Sequence, residues 1–386
     1  MFNMFNMDND IIKIFISGDF APINRVSDII DKKEYVSLYN DMLPYIKECD
    51  ISITNLECPL VEDGTPIKKT GPNLKAPIKS IEALKYAGFN MVTLANNHMM
   101  DYGADGLNST INVCKENDIE YMGAGQNITE AQVIKYFNIK NKKIAFINCC
   151  ENEWSTTFGN YPGCNPLNEI DIYNQIKEAK SNSDWLIVIV HGGHEMYEYP
   201  SPRMKKLYRW IVDLGADAVI CHHTHCFSGY EIYNNKPIVY SLGNFIFDST
   251  SLRNSIWNYG AAAVIIIDDH NIKLELYPYT QCNEKVGVNL LTEKELQDWH
   301  KKEVERQKII SNDQMLESEF DIFINKKEKL YRSYLEPRSN KFILAAKNKG
   351  ILPRRINKEK ALLYLNLIRA EAHRDVLLHI LNSNNK

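Results

Sequence analysis

Short apolar runs of strand length recur through the first 280 residues with amphipathic stretches of helical period between them, and this alternation constrains the fold more than any other feature of the chain. The runs Ile11–Ser17, Asp50–Asn55, Asn90–Leu94, Lys143–Asn148, Trp185–His191, Asp217–Cys221 and Pro237–Ser241 predict strands, followed by Ala261–Ile267 and Ile272–Tyr277. Apolar residues spaced three and four apart predict helices at Lys33–Glu48, Ile78–Ala87, Gly106–Asn117, Asn168–Asn182 and Arg203–Leu214. Strand and helix in alternation are the signature of an α/β domain. Between two of these elements, Val61–Lys75 holds several Gly, Pro and Lys residues and reads as a long loop, a kind of segment that often carries function.

After Thr280 the β signals stop. Thr292–Gln307, Ser318–Tyr334 and Lys358–Leu381 are rich in Glu, Lys and Leu and predict helices, with breaks at Pro337 and Pro353. Leucines and isoleucines at helical spacing in Ala361–Ile368 and Val376–Leu381 must be buried against something. The expected organisation is therefore a domain over residues 11–280 and a helical C-terminal appendage over residues 291–386. From Leu291 onward there are 20 Lys/Arg against 14 Asp/Glu, so the tail is mildly basic and the larger part acidic. The whole chain has a formal net charge of −4, which gives no bias toward nucleic acid or an anionic membrane, and no nucleic-acid partner is expected. No apolar run approaches the roughly 18 residues of a transmembrane helix, and MFNMFNMDND has no basic n-region followed by an apolar stretch. Nine cysteines without CxxC spacing, two of them adjacent at Cys149 and Cys150, fit a reduced chain, so a cytoplasmic location is expected.

Five polar clusters stand at the C-terminal ends of expected strands, the edge where open α/β sheets bind their ligands. They are Ser17-Gly18-Asp19, Asn55-Leu56-Glu57, Asn96-Asn97-His98 with Asp101, His191-Gly192-Gly193-His194-Glu195, and His222-His223-Thr224-His225. Six of the ten histidines fall in these clusters, a concentration that argues for a common site. Carboxylate, imidazole and amide oxygen suit borderline-hard divalent ions, and a histidine-rich set favours Zn, Fe or Mn over Ca or Mg. Two such ions about 3.5–4 Å apart can clamp a phosphoryl group and lower the pKa of water. His223 and His225 converge on one site if the chain turns after its strand, and point apart if the strand continues. Each cluster also has a plainer reading. Asp19 and Asn96-Asn97 could be turn or cap residues, and His222 reads better as a structural histidine than as a direct ligand; Cys221 and Cys226 could bind zinc, but Cys221 ends a buried strand and reads better as a core residue. For Tyr240–Phe245, turn chemistry around Gly243 and a wall of the site are both open. Tyr197, Tyr199 and Arg203 read as loop packing or a substrate groove, and Lys68, Lys69 and Lys75 as a solvated loop face that could meet an anionic substrate.

Taken in order, these clusters together with Tyr240-Ser241-Leu242-Gly243-Asn244-Phe245 resemble the motifs of the CapA family of capsule and poly-γ-glutamate synthesis proteins, a branch of the calcineurin-like metallophosphoesterases. The resemblance covers about Ile11 to Asp248 and leaves the helical tail outside. It implies a four-layer α/β/β/α sandwich of the metallophosphoesterase type with the site at the sheet edges. It also implies that Asp19, Glu57, Asn97, His191, His223 and His225 are metal ligands, with Glu57 standing where the broader superfamily has a bridging aspartate. His98 matches the histidine that faces the substrate and assists the leaving group, and Asp101 would orient it. One departure bears on the metal count. The superfamily has DxH where this chain has Asp19-Phe20-Ala21, so one histidine ligand is absent, with His194 or His222 as candidates to replace it.

The expectation that follows is a metal-dependent phosphoesterase-like hydrolase holding one or two divalent ions, Mn, Zn or Fe, and linked to capsule, poly-γ-glutamate or other surface-polymer biosynthesis. Its partners would be an anionic polymer or phosphate-ester substrate and capsule or polymer synthase proteins. Family analogy adds membrane association or export to the cytoplasmic expectation. The alternative is a non-catalytic metal-containing scaffold or polymer-binding partner of a synthase complex. The missing DxH histidine favours that alternative, whereas intact His98 with Asp101 favours the hydrolase.

Overall fold

The apolar runs close into two sheets in the computed structural model, which describes residues 11–335, 342, 346, 349, 351 and 358–383. The first sheet opens with β1 (Ile12–Ala21), β2 (Ile51–Leu56), β3 (Met91–Thr93) and β4 (Glu120–Met122), adjacent and parallel. A two-stranded ribbon of β5 (Ala124–Gly125) and β8 (Gly163–Cys164) lies outside both sheets. The second sheet consists of β6 (Lys135–Ile139), β7 (Lys142–Cys150), β9 (Trp185–His191), β10 (Ala218–His222), β11 (Tyr230–Tyr233) and β12 (Lys236–Val239), in the order β11-β12-β10-β9-β7-β6. Its central strands are parallel and its two edges antiparallel. The chain then returns to the first sheet, where β13 (Asn244–Phe247) lies parallel to the end of β1, and β14 (Tyr259–Ile267), β15 (Ile272–Gln281) and β16 (Val288–Leu290) extend the sheet antiparallel.

The layering follows from the period of two along each strand. In β9, Ile187 and Ile189 face the first sheet and meet Ile14, Ile16 and Ile53 across a shared core. Leu186, Val188 and Val190 face the other way, onto Ile172 and Ile176 of α7 (Glu169–Asn182) and Met204, Tyr208 and Ile211 of α8 (Pro202–Asp213). A strand buried on both faces must be apolar throughout, which is why WLIVIV shows no alternation. On the outside of the first sheet, Phe15, Leu56 and Val92 pack against α1 (Arg25–Asp31), α2 (Tyr35–Tyr39), α3 (Leu43–Lys47), α4 (Ile81–Ala87) and α5 (Gly103–Glu116). A short α6 (Ile128–Ala131) leads into β6. The result is the four-layer α/β/β/α sandwich.

Among the boundaries that differ from expectation, three bear on how the chain is arranged. The single helix expected over Lys33–Glu48 is α2, a 3₁₀ turn over Asn40–Met42, and α3. Asn40 takes φ 42°, its Nδ2 donates to Ser37 O and Val288 O, and Pro44 starts the next helix, so the chain bends there. The β structure runs past Thr280, since β15 ends at Gln281 and β16 pairs with it; three residues are too few to carry a readable alternation. The tail contains α9 (Glu293–Ser311), α10 (Asp313–Leu335), α11 (Lys358–Arg369) and α12 (Glu371–Ser383), so the helix expected over Lys358–Leu381 breaks at Ala370. There Glu371 turns its carboxylate onto the backbone N–H and side-chain amide of Asn152, at 2.7 and 2.6 Å. The breaks expected at Pro337 and Pro353 lie outside the described residues. Among the described residues no helix is long and apolar enough to cross a membrane.

Candidate metal centre

The ends of β1, β2, β3, β9 and β10 deliver the polar clusters to one edge of the sandwich, where the two sheets meet. At the end of β1 the backbone makes a close approach that depends on glycine. Asp19 N donates to Gly243 O at 3.1 Å, and a Cβ on Gly18 would collide with that same carbonyl oxygen. Asp19 is thereby fixed with no exposure, and Asn55 Nδ2 and His223 N donate to its two oxygens at 2.8 and 3.1 Å. β10 ends at His222, after which His223 and His225 take φ of 94° and 58°. The strand therefore gives way to a turn, and the two imidazoles converge instead of pointing apart. His223 Nδ1 comes within 3.1 Å of His191 Nε2, and the rings of His223 and His225 have centroids 6.0 Å apart.

Two groups of donors result, and both contain Glu57. One is Glu57, His191 and His223; the other is Asp19, Glu57 and His225; within each, the candidate ligand atoms lie within 4.8 Å of one another. Asn97 joins the first through its Oδ1, 3.0 Å from His191 Nε2. Glu57 Oε1 lies 3.7 Å from His191 Nε2 and 3.9 Å from His225 Nε2, between the groups. It is fully buried, and neither of its oxygens has a hydrogen-bond partner. An ionised carboxylate in that condition is costly, and burial together with neighbouring Asp19 holds its pKa well above the ordinary value. A cation between the groups would relieve both. Burial, then the adjoining histidines, pushes the pKa of His191 well below 6.5, and burial lowers that of His225. Neutral imidazole is the form that binds a metal. These buried groups could hold a metal ion, and the donor set fits a divalent one.

The surrounding residues fix the rings. Asn244, from the Tyr240–Phe245 motif, places Oδ1 2.9 Å from His225 Nδ1, which leaves Nε2 for the centre. Glu153 Oε1 lies 3.6 Å from His223 Nε2, on the side away from His191. Metal-bound imidazoles characteristically have such partners on their second nitrogen. Glu153 carried no sequence signal of this role beyond a place three residues past the end of β7. His98 Nδ1 bonds Asp101 Oδ2 at 2.7 Å, and Asp101 also accepts from Leu74 N at 2.6 Å. Lys69 differs from its reading as a solvated loop residue. Its side chain is 2% exposed, it forms an ion pair with Asp101, and its Nζ lies 3.2 Å from His98 Nδ1. The loop folds inward there because Asp101 offers a buried charge that needs a counter-ion.

Neither candidate for the absent histidine reaches the centre. His222 Nε2 donates to Ser17 O at 2.9 Å and ties β10 to β1 across the sandwich. His194 faces the tail, its ring 5.1 Å from that of Phe320 and 5.8 Å from that of Phe323. Tyr197 packs on Phe323 at 4.5 Å, and Arg203 bridges Glu151 and Asp375, so these residues hold the tail in place. Cys221 and Cys226 are buried and belong to neither donor group.

A family model described as "Bacterial capsule synthesis protein PGA_cap" matches residues 13–249. The chain is similar to the capsule biosynthesis protein CapA of Bacillus anthracis, 34% identical over 250 residues that cover 62% of this chain and 61% of that one. It is similar also to the PGA biosynthesis protein CapA of Bacillus subtilis strain 168, 29% identical over 244 residues, 62% of this chain and 64% of the relative. The chain thus spans about three-fifths of the length of these relatives. A solved structure of a hypothetical protein from Thermus thermophilus aligns with 70% of this chain and 99% of its own, at 12% identity and a TM-score of 0.45.

Proposed function

Because the chain belongs to the PGA_cap family of bacterial capsule synthesis proteins, we propose that its buried histidine–carboxylate cluster is a divalent-metal centre that hydrolyses a phosphate ester during the synthesis of capsule, poly-γ-glutamate or a related surface polymer. The observation that carries this reading is Glu57, a buried carboxylate without a hydrogen-bond donor, set between two donor groups. Asp19, Glu57 and His225 would hold one ion, and Glu57, Asn97, His191 and His223 the other. When bound, the metal supplies Lewis acidity toward a phosphoryl oxygen and a water of lowered pKa. The catalytic unit is residues 11–280, with residues 291–386 as its appendage, and the polymer synthase machinery is the partner.

His98 is the proton donor in this reading. Asp101 binds Nδ1, so Nε2 is the nitrogen left for the leaving oxygen. As the P–O bond breaks, the proton on Nε2 passes to that oxygen, and a proton from the attacking water restores the imidazolium. Asp101 fixes the ring, while Lys69 balances the charge of Asp101. A second reading has one specific support: with Phe20 and Ala21 after Asp19, the Asp19 group has three donors only, as in a scaffold that retains metal without turnover.

Metal analysis of the purified chain, with a screen of phosphomonoesters and phosphodiesters, separates the two. The hydrolase reading expects bound Mn, Zn or Fe and turnover. It also expects His98→Ala to lower the rate about 10²–10⁴-fold on esters with poor leaving groups, less on an activated aryl phosphate, with unchanged metal content. Fully metallated wild type that hydrolyses neither class leaves the scaffold reading in its place.

A further inference from the structure

The tail lies outside the matched family region, yet it reaches the centre. A cavity of about 220 Å³ opens beside Asn97 and His98, and its opposite side is formed by Tyr334 of α10, Leu363 and Asn366 of α11, and His373 of α12. The tail's seat is a built one. Arg203 Nη2 lies 2.6 Å from Glu151 Oε1 and Arg203 Nε 2.6 Å from Asp375 Oδ2, which joins α12 to the end of β7 through a largely buried ion pair. Glu371 accepts two hydrogen bonds from Asn152, next to the Glu153 that faces His223. Tyr197 and the tail residues Phe320, Ile324, Leu367, Val376 and Ile380 form a common apolar cluster. Asn366 is 7% exposed and its Oδ1 has no hydrogen-bond partner, an open acceptor that packing alone does not explain.

We propose that α11 and α12 form the leaving-group wall of the metal-site cavity, and that this wall confines the site to phosphate esters with a small leaving group. The inference rests on the phosphoesterase reading in that His98 marks the leaving-group side. The cavity falls below the roughly 300–1,000 Å³ typical of sites for drug-sized ligands, so its space between His98 and the tail suits a group the size of one ring. Leu363 is the side chain best placed to set the limit, because it faces the cavity and is only partly buried in the tail's own cluster.

The test is binding of two non-hydrolysable probes, phenylphosphonate and 1-naphthylphosphonate, to the full Co(II)-loaded chain, read from the visible absorption of the metal. Wild type is expected to prefer phenylphosphonate by about tenfold or more, the scale that a few carbons impose in a shaped pocket. Leu363→Ala should bring the ratio toward one, whereas Leu363→Trp should weaken both probes and the larger one more. Thermal melts show whether each variant keeps its fold, and the two substitutions push in opposite directions. A preference identical in wild type and both variants overturns the wall, as does failure of the wild type to bind either probe. Selective binding without hydrolysis of any ester leaves the wall standing and removes the hydrolase reading instead.

Discussion

The donor group around His191 and the one around Asp19 share Glu57 and differ in what surrounds it. The His191 group combines two imidazoles, the amide oxygen of Asn97 and the shared carboxylate. The Asp19 group has two carboxylates and His225, and where the superfamily motif has its histidine this chain has Ala21, which is buried against Phe247 and Trp257. The nitrogen-rich group suits Zn or Fe, while the oxygen-richer group with three donors would hold an ion less tightly and exchange it more readily. In the proposed centre one fold edge would thus carry a strong position and a weak one, and loading in two separate steps is the expected result of titrating the metal-free chain.

The largest effect should come from the residue the two positions share. Glu57→Ala should leave neither ion bound at stoichiometric metal, because each group loses its central carboxylate. Elemental analysis after desalting reads this directly. Retention of one full equivalent would show that the positions are independent and that Glu57 does not join them.

A smaller change should separate the positions. Among the proposed ligands the side chain of Asn244 hydrogen-bonds His225 alone, so Asn244→Ala should lower affinity at the Asp19 position about 10–100-fold and leave the His191 position as it was. Competition with a chelator of known affinity measures both constants. Equal weakening of the two would mean that Asn244 supports the whole edge and not one ring.

What could be read in advance was whatever is local. The strands at Trp185–His191 and Ala261–Ile267 announce themselves because buried central strands are apolar end to end. Asp19, Glu57, His191 and His223 stood out because each is a ligand type at a strand end. Two edge strands were missed although a local sign existed: Lys140-Asn141 and Asn234-Asn235 take the left-handed φ of tight hairpin turns, which place β6 and β11 beside their partners. The remainder is set by distant contacts. β13 lies beside β1 because Gly18 lets Gly243 approach. Lys69 turns inward because Asp101 is buried 32 positions later in the chain, and the tail covers the cavity through Arg203 and Asn152. No periodicity within either segment records such a partner.

The smallest effect distinguishes histidines in the centre from one that only adjoins it. His194 belongs to the same sequence cluster as His191 but packs among Phe320, Phe323 and Tyr197, and burial pushes its pKa down to about 3. In the unfolded chain it titrates near 6.5, so at lower pH the unfolded state takes up a proton that the native state refuses. Its contribution is therefore complete above about pH 6.5 and is lost as the pH falls from 6.5 toward 3, amounting to roughly 1 kcal/mol by pH 5.5. His194→Phe removes the titrating group and keeps a flat ring in an aromatic site. In metal-free protein, the drop in Tm between pH 7.5 and 5.5 should be smaller in the variant than in the wild type by about 1–2 °C. Bound metal should be unchanged in the variant at pH 7.5. An unaltered pH slope would show that His194 titrates in the fold as it does in the unfolded chain, and loss of metal would place it in the centre after all.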